Sequence, residues 1–356
     1  MPMSLAGQSV FEFGAWAGAL PLAAESPLNS IADDIQFQLT VSITRLVLVL
    51  ICPGLVWLLG NSTVLTERKR NAAIIAGMVR CLFSLGADIA LVHADVHHYK
   101  LDTMLYQGVP VDMHIVFGCV AGTGLCLLWE QSWTMLRTLL LAVAIGLTVM
   151  FNRWCAGPAH LLTPLSLDYQ TYDLVVQCSL PVITVFFYRL VDENKALIFR
   201  SIIYAFGYFS VTYFLVPSII LSMSLGEVSF PTSQWQNVLV AVSVLSVPGA
   251  WAAGQFAISG RGTPLALDPT SRLIVTGPYA YVRNPMQISC VGVAVVWAVA
   301  TNSPALWIYV GLLVVALLIT RVYEEDDLHR RFGERYKKYC RSVWLWLPSL
   351  WAYEEE

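Results

Sequence analysis

Apolar residues in this chain run in long unbroken blocks, not in the one-sided stripes of a soluble helix or the alternation of a half-buried strand. A block of about 20 apolar residues matches a hydrocarbon core about 30 Å thick. The sequence predicts nine such spans, at 39–60, 71–93, 111–129, 133–151, 172–190, 198–222, 235–256, 287–301 and 304–323, the eighth of them short. The N-terminal stretch FEFGAWAGALPLA is read as interfacial, or as a tenth span. Beyond the last span, Leu328, Phe332, Tyr336 and Tyr339 recur at helical spacing with basic residues between them, which predicts an amphipathic helix on the membrane surface. The fold class expected is therefore all-α: a polytopic integral membrane protein of about nine transmembrane helices plus a C-terminal amphipathic helix.

The polar positions between the blocks orient the chain. Arg68-Lys69-Arg70, then Arg189, Lys195 and Arg200, then Arg261, Arg272 and Arg283 all fall in odd-numbered loops. The even loops hold Lys100, Arg153 and little else, while the tail carries Arg330, Arg331, Arg335, Lys337, Lys338 and Arg341. The excess of Lys and Arg in cytoplasmic loops then predicts an outside N-terminus and a cytoplasmic C-terminus. The expected location is the inner or plasma membrane of a bacterium, or the endoplasmic reticulum of a eukaryote. Prolines 53, 181, 217 and 248 lie inside spans and predict kinks. Gly118 and Gly122, four apart in the third span, permit close helix packing.

Composition agrees. Of 356 residues 57% are hydrophobic and 13% charged, with mean hydropathy +0.63, against about a quarter charged in soluble domains. The net charge of −3 hides a clustering of basic residues in particular loops; nucleic acid is not expected as a partner, and membrane lipids are. The eight cysteines form no CxxC pair and read as reduced, small hydrophobes. The first thirty residues contain no Lys or Arg and so lack the basic region of a secretory signal. The chain divides into an N-terminal membrane body, 1–235, and a second region, 236–356.

Candidate chemistry concentrates in that second region. Residues 263–287 read TPLALDPTSRLIVTGPYAYVRNPMQ, and 321–327 read RVYEEDD. The two apolar spans between them fold back as a hairpin, which returns both polar ends to one membrane face. Gly277-Pro278-Tyr279 is turn chemistry, and Pro285 suits the first position of a helix.

Leu273-Ile274-Val275, Gly277, Tyr279, Arg283-Asn284-Pro285, Glu324-Glu325, Leu328, Phe332-Gly333, Tyr336, Tyr339 and Pro348 occur here in order. This pattern resembles the membrane methyltransferases typified by isoprenylcysteine carboxyl methyltransferase and the phospholipid N-methyltransferases. The resemblance covers roughly the last 100 residues. Asn284 stands where histidine is usual and Gln287 where tyrosine is usual. The resemblance implies S-adenosyl-L-methionine as cofactor, bound by Leu273, Ile274, Val275, Tyr279, Arg283, Asn284, Pro285, Met286, Gln287 and Glu324. It implies that Arg321 orients the substrate, with Glu325 the first candidate for a general base where the acceptor needs one. It also implies a hydrophobic, lipid-like or prenylated acceptor. Physical chemistry supports such a site independently, because aromatic rings and carboxylates both attract a sulfonium cation, and in-line methyl transfer depends mainly on alignment.

Other clusters are weighed beside plainer readings. His93, His97 and His98 with Asp88, Asp95 and His114 have too few histidines for a di-iron centre, so no metal is expected and a polar outer loop is the plainer reading. Arg80 and Asp88 lie on one face of the second span, as a functional pair or a mutual ion pair. Asp168 and Asp173 match no prenyl-transferase spacing, and the lone Gly260-Arg-Gly262 lacks the strand of a dinucleotide fold. Two rival functions remain: an NADPH-dependent sterol-type reductase, suggested by the stretch from Arg321 to Tyr339-Cys340, and a non-enzymatic lipid-binding or transport protein.

Overall fold

The computed structural model describes residues 65–99, 108–130, 134–156, 162–164, 169–223, 235–265 and 267–355, with scattered positions between 36 and 56. It divides into two units, Met1–Thr44 and Arg45–Glu356. In the first, the described positions are helical, and Thr40 and Thr44 each donate to the carbonyl four residues back. The N-terminal apolar stretch and most of 39–60 lie outside the described residues.

The second unit is built of helices. They are α1 (Glu67–His93), α2 (Val111–Glu130), α3 (Thr134–Ala156), α4 (Tyr169–Asp192), α5 (Leu197–Leu221), α6 (Trp235–Ile258), α7 (Pro285–Thr301) and α8 (Pro304–Ser342). Two short strands, β1 (His97–Tyr99) and β2 (Leu162–Pro164), pair antiparallel with His98 opposite Thr163. Among the described residues six helices are long and apolar enough to cross a membrane. Of the other expected spans, 287–301 is the 17-residue α7, and 133–151 is α3 with its apolar stretch at Leu139–Met150.

Local chemistry sets the ends. Thr66 caps α1, its hydroxyl accepting from the Lys69 N–H, and Glu67 favours the positive end of the helix dipole. Pro285 and Pro304 open α7 and α8, and the left-handed Asn302 between them makes the hairpin turn. Packing of α1 on α2 uses glycines. A Cβ on Gly122 would lie 2.7 Å from Gly77 Cα, and one on Gly118 would lie 2.8 Å from Cys81 Cβ, so the two backbones approach as small residues permit. The surrounding core joins Ala72, Ala76 and Val79 of α1 to Phe187 and Tyr188 of α4 and Tyr204 of α5.

One end of this bundle gathers the basic loops. Arg68 Nη2 donates to Val191 O over 2.9 Å, Lys69 reaches Glu130, and Tyr188 donates to the same carboxylate over 3.1 Å. At the other end Asp88 accepts from the Tyr99 hydroxyl over 2.6 Å and faces His97 Nε2 at 2.8 Å and His114 Nε2 at 3.1 Å. Asp88 thus pairs with the histidines and Arg80 is not among its partners, so of the two readings of Arg80 and Asp88 the mutual ion pair is not the one seen. Arg80 is fully buried, its Nε and Nη1 without hydrogen bonds. His93 and His98 stay exposed, and among the described residues no His, Cys, Asp and Glu cluster suits a metal.

The C-terminal helix departs from expectation. Gly333 takes φ +55°, ψ −130°, and breaks α8 there, a conformation open chiefly to glycine. Leu328 and Phe332 before the break and Tyr336 and Tyr339 after it pack with Leu273, Val275 and Val343. The apolar stripe expected to lie on the membrane covers the 263–287 loop instead. The helical period was right; its partner was a neighbouring loop.

Candidate active site at the mouth of the α7–α8 hairpin

The loop between α6 and α7 is held from three sides. Leu265 and Leu267 pack on the α1–α4–α5 core. Arg200 at the start of α5 is fully buried and donates Nε to Lys195 O over 2.9 Å, Nη2 to Asn194 Oδ1 over 2.8 Å, and Nη1 to Asp268. Asp268 O accepts in turn from the Thr263 hydroxyl over 2.8 Å. Burial pushes the Asp268 carboxyl upward, with Arg200 and then Thr263 pulling it back. Residues outside the second region therefore fix the loop.

Gly277 makes the next turn. Its φ is +63°, and a Cβ there would meet Gln255 Cγ at 3.1 Å, so both conformation and space favour glycine. Gln255 Oε1 accepts from Ser259 Oγ over 2.8 Å and Thr276 Oγ1 over 3.1 Å. A short 3-10 turn, Gly277–Ala280, follows and directs Tyr279 inward, edge-on to Phe256. Tyr279 O accepts from the Tyr339 hydroxyl over 2.7 Å. Burial holds the Tyr279 phenol well above its usual range.

At the hairpin mouth Arg283 Nη1 donates to Glu325 Oε1 over 2.9 Å and lies 3.0 Å from Cys340 Sγ. Arg321 Nε and Nη2 reach the same Glu325 oxygen at 3.0 and 2.9 Å. Arg331 donates to Thr270 O and to Asp327 Oδ2, the latter over 3.1 Å.

These walls enclose a cavity of about 380 Å³, within the roughly 300–1,000 Å³ of small-molecule sites. Of the residues expected at the site, Leu273, Ile274, Tyr279, Arg283, Asn284, Arg321, Glu324 and Glu325 line it. Val275, Pro285, Met286 and Gln287 do not. Val275 packs with Tyr336, Pro285 is buried at the first turn of α7, and Met286 packs with Ile274 and Tyr279. Gln287 is buried, its Oε1 accepting from Trp346 Nε1 over 2.9 Å.

Three polar groups are left over. Glu324 is exposed to the cavity and, among the described residues, carries no hydrogen bond or ion pair. Asn284 occupies the N-cap position of α7 without a side-chain capping bond. Arg283 Nε is buried and, among the described residues, has no hydrogen-bond partner. Each arginine lining the cavity, by contrast, is paired with a carboxylate.

Sequence reasoning missed Phe256, Thr263, Pro264, Pro269, Thr270, Thr320 and Tyr323 in the wall. A signal existed for Thr320, Tyr323 and Glu324, which share a helical face at i, i+3 and i+4. The proline-bracketed 264–269 loop gave no periodic signal.

Residues 233–335 match the family model for phospholipid methyltransferase. That match bears out the resemblance read from the C-terminal residues: the segment that carries most of the cavity wall is similar to phospholipid methyltransferases, and six helices among the described residues are long and apolar enough to cross a membrane. No curated protein and no solved structure matches the chain.

Proposed function

We propose that the protein is an integral-membrane S-adenosyl-L-methionine-dependent methyltransferase acting on a lipid-like or prenylated acceptor at the cytoplasmic face. The observation that carries this reading is Glu324, an unpaired carboxylate in an aromatic-walled cavity of small-molecule size. A positively charged ligand group is the complement of such a carboxylate, and the tyrosine and phenylalanine walls attract a sulfonium as well. Asn284 offers a donor and an acceptor that are not used to cap α7, and Arg283 Nε offers a buried donor without a partner among the described residues. When bound, the cofactor would supply an electrophilic methyl group.

The side chains would divide the remaining work. Leu273, Ile274 and Tyr279 form the apolar wall, while Glu324 and Asn284 hold polar ends. Val275, Pro285, Met286 and Gln287 support that wall from behind. Arg321 and Arg283 draw Glu325 across the hairpin mouth, so Glu325 acts as a strut. All three N–H groups fall on its Oε1, so a proton from an acceptor would have to go to Oε2. The cytoplasmic assignment is supported by the basic loops that meet at this end of the bundle.

A sterol-type reductase would need cations for the phosphates of NADPH, and the cavity's arginines are already paired with carboxylates. Calorimetry of the purified protein against S-adenosylhomocysteine and NADPH in parallel tests the proposal. Binding of S-adenosylhomocysteine alone is expected; binding of NADPH alone would overturn it.

A further inference from the structure

The apolar residues of α8 beyond the hairpin pack with Leu273 and Val275, and a different segment presents exposed apolar side chains. Residues 343–355 run back along the site turn as a strap. Arg283 N–H donates to Trp344 O over 2.9 Å and Asn284 N–H to Leu345 O over 3.2 Å. Ser349 N–H donates to Tyr281 O and Tyr353 N–H to Ala280 O, both over 2.8 Å. Val343 is buried, and Tyr353 packs on Tyr339. One side of the strap is therefore fully committed to the turn. Its other side presents Trp344 at 61% exposure, Leu347 at 61%, Leu350 at 90% and Trp351 at 84%.

We propose that this face is a membrane-surface anchor: Trp344, Leu347, Leu350 and Trp351 lie in the lipid interface of the leaflet where α6 ends and α7 begins. Three observations commit the face to lipid. The strap bonds to residues 280–284, immediately before the first residue of the apolar α7, which sets its height at the edge of the hydrocarbon. Ile258 at the end of α6, Tyr281 in the turn, and Val322 and Tyr323 on α8 are exposed at that same end, so the strap continues the apolar belt of the spans. Tryptophan and leucine with Lys337, Lys338 and Arg341 close by in sequence are the residue types of interfacial segments.

The arrangement has a consequence for the site. Trp344 and Leu345 hold the backbone of Arg283 and Asn284, so seating the strap in lipid also fixes the turn that lines the cavity. Withdrawal of the strap from the interface would loosen that turn.

The test uses the full-length protein in nanodiscs of mixed phosphatidylcholine and phosphatidylglycerol. Photoreactive benzoylphenylalanine replaces Leu350 in one sample and the exposed Glu334 in a control. After illumination, intact mass should show a phospholipid adduct at position 350 and none at 334. A covalent dimer at 350 would assign the face to a second copy, and the absence of any adduct would remove lipid from it; either result overturns the proposal. A paired Leu350→Ser and Trp351→Ser variant gives a second reading through amide exchange of residues 280–284. Exchange should rise on the order of tenfold, as for a local opening that has lost its anchor, with exchange in α1 and α4 unchanged. Exchange equal to the parent protein would sever the strap from the turn. Neither measurement requires a methyl donor, so the outcome is separate from that of the methyltransferase reading.

Discussion

Arg283 Nη1 lies 2.9 Å from Glu325 Oε1, although 42 residues and two apolar helices separate them in the chain. Arg321, one helical turn before Glu325, places two more N–H groups on the same oxygen. This junction closes the mouth of the α7–α8 hairpin, and it leaves the adjacent Glu324 as the carboxylate free to meet a ligand.

The two neighbouring glutamates should therefore fail in different ways. Glu325→Ala leaves two guanidinium groups facing each other without their acceptor, and a loss of about 1–3 kcal/mol in stability is expected. Glu324→Ala should leave the melting temperature unchanged and weaken S-adenosylhomocysteine on the order of tenfold, the equivalent of about 1.4 kcal/mol. Scanning fluorimetry and calorimetry on both variants check this, and the reverse pattern would exchange the two roles.

Asn284 separates a ligand contact from a helix cap. Its side chain makes no capping bond, so Asn284→Ser should keep the parent stability while weakening S-adenosylhomocysteine. Asn284→His introduces a group titrating near pH 6.5. Protonation there adds a like charge beside Arg283, so affinity for the cationic S-adenosylmethionine should fall as pH drops below about 6.5. Asparagine does not ionise, so residue 284 should contribute no pH dependence to binding in the parent protein. A pH-independent histidine variant would place residue 284 away from the ligand.

Arg200 should govern the site loop from outside the segment that matches the family model. Arg200→Met strands the Asp268 carboxylate, and breaking a buried pair on one side destabilises by roughly 3–5 kcal/mol. Tryptic cleavage after Arg261 and Arg272 should accelerate, and a paired Arg200→Met and Asp268→Leu variant should recover part of the loss because no charge is left unpaired. Cleavage unchanged in the single variant would show that Leu265 and Leu267 hold the loop without the ion pair.

Topology can be read by thiol labelling in intact cells. Asp95, exposed in the turn after α1, and Arg272, exposed in the site loop, should lie on opposite faces. Asp95→Cys should react with an impermeant reagent added outside, and Arg272→Cys should react only after permeabilisation. Equal reaction at both positions would remove the cytoplasmic assignment.

The sequence by itself determined what local chemistry and composition can fix. Long apolar blocks imply membrane helices whatever they pack against, because an exposed backbone finds no partner in hydrocarbon. Gly277, Pro285 and Pro304 mark turns through their own dihedral preferences, and the hairpin they frame brings Arg283 and Glu325 together. What the tertiary structure decided was which face each residue uses. Val275, Pro285, Met286 and Gln287 are contiguous with lining residues, yet they point behind the wall, a matter of backbone path through an irregular loop that has no period to read. Asp88 pairs with His97 and His114 across elements, where the spacing to Arg80 along one helix had suggested an internal pair. Leu328, Phe332, Tyr336 and Tyr339 carry a stripe that specifies burial but not the burying partner. In the fold that stripe packs with Leu273 and Val275, while Leu350 and Trp351 stay exposed. A hydrophobic pattern records that a surface must leave water; which neighbour covers it depends on where the chain bends.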